Sequence, residues 1–147
     1  MSRQRIYASF LALGAGILLF RTLRMMIVEG AFELLLPWVI ALLIAEFIVD
    51  LGWLVCSIRW FILNRREKAV CALRLASAAI FLHAFRVLIY VLGRTGPWLN
   101  FDVRPEHRAT YTFDWFWVWF AAILSVLGIV GVIVIWGIIR RNRKAGL

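Results

Sequence analysis

Cysteine is scarce in this chain. Cys56 and Cys71 are the only two, and they form no CxxC pair. That weighs against the thiol–disulfide chemistry that paired cysteines perform. Two isolated thiols in an apolar sequence, on the cytoplasmic side of the topology derived below, read as small reduced hydrophobes. Histidine is as rare, with only His83 and His107. His83 has no second histidine in another apolar run with which to hold a haem. It could meet Glu46 and Asp50 around a metal, but no ligand motif supports that, so no cofactor and no metal are expected. P-loop, GxSxG, HExxH and dinucleotide-binding fingerprints are missing too. A soluble-type catalytic site is therefore not expected, and the chain is read as non-enzymatic. Repeats, low-complexity segments and a second domain are absent as well. Acidic residues number 8 against 17 Lys and Arg, a net charge of +9. In a soluble protein that surplus would suggest nucleic acid. Here no polar domain exists to carry it, and nucleic acid is excluded as a partner.

What the chain has is oil. It is 64% hydrophobic with a mean hydropathy of +0.89, where a soluble domain is roughly half apolar. The excess falls into four runs, at about 6–28, 34–63, 69–93 and 113–139, with a loop at 94–112. Each run holds the roughly 20 apolar residues that a helix needs to cross a bilayer. Lipid offers no partner to free backbone groups, so each run is read as a helix. The start, "MSRQRIYASFLALGAGILLF", mimics a secretory signal but lacks a small-x-small cleavage site, and reads as a retained first span. The sequence thus predicts an all-α, integral membrane four-helix transmembrane bundle, residues 1–147 forming a single transmembrane domain.

Charge orients it. Arg3 and Arg5, "RREK" (65–68) and "RRNRK" (140–144) all fall on one face, while "EGAFE" (29–33) and the 94–112 loop carry mixed signs. The positive-inside rule puts both termini in the cytoplasm, N-in and C-in, in a cytoplasmic (inner or plasma) membrane crossed four times. Trp38, Trp98 and Trp115 then fall at the outer interface, and Trp60 and Trp136 near the inner one. Arg59, Arg65, Arg66, Lys68, Arg74, Arg140, Arg141, Arg143 and Lys144 gather at the cytoplasmic ends and are read as facing lipid phosphates. Small residues at four-residue spacing mark stripes for close packing: Ala8, Ala12 and Gly16 in the first span, Ala121, Ser125 and Gly128 in the fourth. The 94–112 loop reads as an ordinary connector with turns at "TGPW" and "RPEH". The less favoured reading is a lid over the outer mouth. The aromatic run "FDWFWVWF" (113–120) anchors the fourth span at the headgroups, or less plausibly offers a ring surface to a lipid or quinone.

Against this background two carboxylates stand out. Glu46 and Asp50 lie four apart in "AEFIVDLGW" (45–53), on one helix face that continues through Trp53, Ser57 and Trp60. The third span carries a matching stripe: Ala69, Ala72, Ala76, Ala79, His83, Arg86 and Tyr90, alternating three and four, the seam of antiparallel helix packing. A tight turn near Arg66 sets the hairpin register. Glu46 falls level with Arg86, and Asp50 level with Leu82, beside His83. An isolated charge at the bilayer centre costs about 2.5–3.5 kcal/mol on insertion scales, which pairing Glu46 with Arg86 and Asp50 with His83 would offset. Arg21 and Arg24 of the first span are expected to line the outer approach, to join the cluster, or to meet Glu29 and Glu33.

Ionisable residues inside a membrane point to function. The expected function is movement of an ion or small solute across the membrane, with proton coupling as one form of it. Glu46 and Asp50 would bind the cation or proton, and His83, which titrates near neutrality, would relay protons. Arg86, Arg21, Arg24 and Tyr90 complete the site. The alternative is a non-catalytic accessory or assembly subunit of a larger membrane complex, its charged stripe serving helix pairing. Expected partners are the lipid bilayer and either copies of the chain in a homo-oligomer or the subunits of a membrane complex.

Overall fold

The computed structural model describes residues 3–144. It is helical, with one isolated antiparallel bridge, Leu35 to Val103, among the described residues. Helix α1 (Arg3–Ile27) is followed by a single turn, α2 (Ala31–Leu34), then α3 (Pro37–Leu63), α4 (Arg66–Arg94) and α5 (Trp115–Lys144). Four of these are long and apolar enough to cross a membrane, the mark of a multi-pass membrane protein.

Local chemistry sets the boundaries. Gly30, at φ 66°, makes the left-handed corner between α1 and α2. The second apolar run, expected as one helix from 34, is therefore split. Residues 31–34 turn separately, and α3 begins at Pro37, whose ring suits the first helical position. At the far end Asn64 closes α3 in the left-handed conformation, its N–H donating to the Trp60 carbonyl at 2.8 Å. Only Asn64 and Arg65 separate α3 from α4, which fixes the hairpin register. Helix α5 runs on through the basic cluster to Lys144 rather than stopping at 139.

The four long helices form a row: α1 packs on α3, α3 on α4, and α4 on α5. Helix α4 therefore buries two stripes. One, with Ala69, Ala72, Ala76 and Ala79, meets the bulky Trp53 and Trp60 of α3 in one core cluster. The other, with Leu73, Ile80 and Val87, turns toward α5. There Gly128 of α5 sits against Ile80. Lipid is as apolar as leucine, so this fit of small against large, rather than oil fleeing water, holds the helices together.

Some stripes differ from expectation. On α1 the buried residues are Ala8, Leu11, Ala15 and Thr22, with Ala12 and Gly16 only half-buried. The tight approach is instead at Gly14, which the Trp53 ring of α3 abuts. Trp60, expected as an interfacial anchor, is buried, because the alanines of α4 leave it room. Trp136 donates across the α4–α5 seam to Ser77 Oγ at 2.9 Å. Ala121 and Ser125 of α5 are buried as expected.

Candidate functional site

The face of α3 that the four-residue spacing defines is the buried one: Val39, Leu43, Glu46, Asp50, Trp53, Ser57 and Trp60. Glu46, Asp50, His83 and Arg86 are 1%, 2%, 4% and 4% exposed. Arg86 Nε donates to Glu46 Oε2 in a close charged hydrogen bond, the pair that the hairpin register predicts. His83 goes elsewhere than expected. Its Nδ1 lies 3.4 Å from Glu46 Oε1, so Glu46 sits between the two α4 side chains. Asp50 instead faces Thr22 of α1, which is itself buried. The reason is the row of helices: α3 presents Asp50 to its α1 side and Glu46 to its α4 side. Thr22 gave no sequence signal as a polar partner.

This group is short of partners. Glu46 Oε1, Asp50 Oδ1, Trp53 Nε1, Ser57 Oγ, His83 Nε2, Arg86 Nη2 and Arg21 Nε are buried with no hydrogen-bond partner among the described residues. An unsatisfied buried polar group costs about 1–3 kcal/mol. From Glu46 to Ser57 the series climbs 11 residues of α3, about 16 Å at 1.5 Å per residue. It ends beside Trp60, nearer the face that carries Arg3 and Lys144.

On the opposite face, which carries the long loop, Arg86 lines the floor of two hollows. One, of about 40 Å³, lies between Arg86 and Arg94 and is also lined by Tyr90 and Asp102. It has room for about three waters. The other is a cleft of about 540 Å³ between α1 and α5. Arg21 and Arg24 both line it, as expected of an approach to the cluster, and Arg24 lies 5.3 Å from the Trp117 ring centre.

The long loop is not a plain connector. Its Arg104 N–H donates to the Leu34 carbonyl at 2.7 Å, and Leu36 N–H donates to the Asp102 carbonyl at 3.0 Å. Arg104 also reaches the carbonyls of Leu35 and Phe32, at 2.9 and 3.0 Å. Arg108 ties Val103 and Phe101 back into the loop, and Phe101 stacks on Trp38 of α3. Residues 95–114 thus form a cap over the α2 segment, with short 3₁₀ turns at Gly96–Trp98 and Pro105–His107.

Arg94 is the centre of that cap. Its Nη1 and Nη2 donate to the two Asp102 oxygens at 2.8 and 3.2 Å, a bidentate pair. Asn100 Oδ1 and Tyr111 OH accept further bonds, at 3.4 and 3.3 Å. The guanidinium carbon lies 4.3, 4.6 and 5.8 Å from the ring centres of Tyr90, Tyr111 and Phe113. Burial pushes the Tyr111 phenol above its ordinary pKa, opposed by the nearby Arg94 charge. Tyr90, expected among the solute-binding residues, serves this assembly with its ring and also lines the cleft. Gly93 makes room for the pair, since a Cβ there would lie 2.6 Å from Asp102 Oδ1. Sequence reading passed over Arg94 as a loop residue. The available signal was its place eight after Arg86 and four after Tyr90, the same face of α4.

The basic residues of the termini-bearing face stay out of these networks. Arg59, Arg65, Arg66, Arg74, Arg140 and Arg141 are exposed and Lys68 is half-buried, none in an ion pair among the described residues. The side chains of Arg143 and Lys144 lie outside the described residues. Cys56 and Cys71 bring their Sγ atoms within 3.3 Å across the α3–α4 seam, both as free thiols. Compared with protein-family models, with curated proteins and with solved structures, the chain matches none.

Proposed function

We propose that this chain moves a proton or small cation across a cytoplasmic-type membrane, both termini inside, along the buried polar face of α3. The observation that carries the reading is the run of unsatisfied polar atoms from Arg86 and Glu46 through Asp50 and Trp53 to Ser57. A network that only fixes helix pairing gains by satisfying every member, because each orphan costs stability. Orphans spaced along one face suit a path whose groups find their partners in water or in a passing ion.

Glu46 is the central acceptor, its charge held by Arg86 on one oxygen while the other faces His83. His83 relays protons between Glu46 and its own free Nε2. Asp50, one turn further along α3, is the next acceptor, steadied by Thr22. The cleft beside Arg21 and Arg86 gives the cluster an approach from the loop face. Buried Trp60, packed in the same cluster as Ala69 and Ala72, is the residue this reading assigns to closure at the far end of the series. Access from one side with closure on the other is the arrangement alternating transport requires.

Flux in proteoliposomes tests this. Wild-type chain is expected to carry proton or cation flux that Glu46→Gln and Asp50→Asn each abolish while eluting as monodisperse particles. Wild-type vesicles no leakier than empty ones would sink the proposal. A second reading, an accessory subunit of a larger membrane complex, draws on α5, which packs mainly on α4 and leaves Trp119, Ile123, Val126 and Ile133 exposed. Co-purification with a stoichiometric partner that covers this face would favour it.

A further inference from the structure

The cleft between α1 and α5 has a chemistry of its own. Its volume of about 540 Å³ lies in the range of small-molecule sites. Helices α1 and α5 meet where Arg24 lies over the Trp117 ring, and the cleft lies between them and α4. Its lining is divided along the helix axes. Toward the loop face are Arg21, Arg24 and, deepest of the three, Arg86; below them are Ile17 and Leu124. Arg21 lies six residues before the end of α1, about 9 Å, and Arg86 eight before the end of α4, about 12 Å.

Of the three guanidiniums that line the cleft, Arg86 is paired with Glu46, and the cleft's own carboxylates are Glu29 and Asp114. Asp114 is already engaged, its Oδ1 accepting the Phe116 N–H at 2.9 Å at the start of α5. Arg21 and Arg24 form no ion pair among the described residues. Buried Arg86 keeps Nη2 without an acceptor, and Arg21 keeps Nε without one. Guanidinium forks with free N–H groups suit a phosphate.

We infer that this cleft binds an anionic lipid that enters sideways from the bilayer, its phosphate held by Arg21, Arg24 and Arg86 and one acyl chain lying against Ile17 and Leu124. A free anion would account for the arginines but not for the apolar lower half. A neutral lipid would account for the apolar half but leave the guanidiniums unmatched. Head toward the loop face and tail toward the bilayer middle is also how a lipid of that leaflet already stands. The inference is independent of transport, since a chain that moved no ion would still hold the lipid.

Native mass spectrometry of the full chain in detergent, titrated with phosphatidylglycerol or phosphatidylcholine, tests it. Phosphatidylglycerol is expected to bind on the order of 10-fold more tightly, and the double variant Arg21→Gln/Arg24→Gln to lose that preference. Leu124→Trp, which fills the lower cleft and leaves every charge in place, is expected to weaken both lipids. Should the arginine variant fail to fold, Leu124→Trp decides alone. Equal binding of the two lipids, or lipid binding untouched by Leu124→Trp, would overturn the inference. Displacement of the lipid by millimolar inorganic phosphate would assign the site to a free anion and overturn it as well.

Discussion

Helix α4 carries two buried arginines on one face, eight residues apart, and they are treated differently. Arg94 is richly partnered: both Asp102 oxygens, Asn100, Tyr111 and three aromatic rings surround it, and Nε alone is left over. Arg86 holds one carboxylate oxygen and makes a weak contact, 3.2 Å, with the Met25 sulfur. Around it Glu46, His83 and Arg86 itself all keep orphan atoms. Satisfaction marks Arg94 as a structural clasp that fastens the cap to the end of α4. Incompleteness marks Arg86 as part of a working site. The same residue type on the same helix face acquires its role from what its neighbours leave undone.

The sharpest way to break the contrast is Asp102→Ala. It would strand a buried arginine, so a loss of about 3–5 kcal/mol is expected, read as a lowered thermal midpoint in detergent. A change no larger than that of a surface substitution would remove the clasp. Gly93→Ala attacks the same clasp through space, pressing a methyl into Asp102; about 1–3 kcal/mol is expected, again from thermal unfolding. If Gly93→Ala unfolds like wild type, the close approach is not what seats Asp102.

The Arg86 side of the comparison is probed by replacing both partners. Glu46→Met/Arg86→Met removes the charges and their desolvation together, so stability is expected to change by less than about 1 kcal/mol or to rise, while proteoliposome flux disappears. A double variant that unfolds would make this pair structural too and dissolve the distinction. The smallest effect concerns Tyr111. Its phenol is raised in the folded chain, so its contribution to stability is complete below the unfolded value near 10 and is lost as pH climbs through the higher folded value. Tyr111→Phe is expected to flatten that alkaline decline in a pH series of melting curves. An unchanged slope would assign the decline to another group.

Much of this was legible beforehand for a simple reason. A helix in lipid must bury its polar side chains against another helix, so spacing alone places Glu46 opposite Arg86 once a two-residue turn sets the register. The partner of His83 was misread because register gives depth and not direction. Asp50 and His83 lie at neighbouring depths, but Asp50 points to α1. The cap was misread because its stability rests on backbone pairing between residues 34–36 and 102–104, which leaves no periodic trace in the sequence.

The sequence by itself determined the class of the molecule: four apolar helices and a charged seam between α3 and α4. These follow from composition and from period, which act locally. Only the tertiary structure decided that the helices stand in a row and not a ring, that a cleft lies between α1 and α5, and that Arg94 is clasped while Arg86 is left wanting. Those outcomes depend on which faces meet across long stretches of chain, and side-chain size at the seams, alanine against tryptophan, settles which faces can.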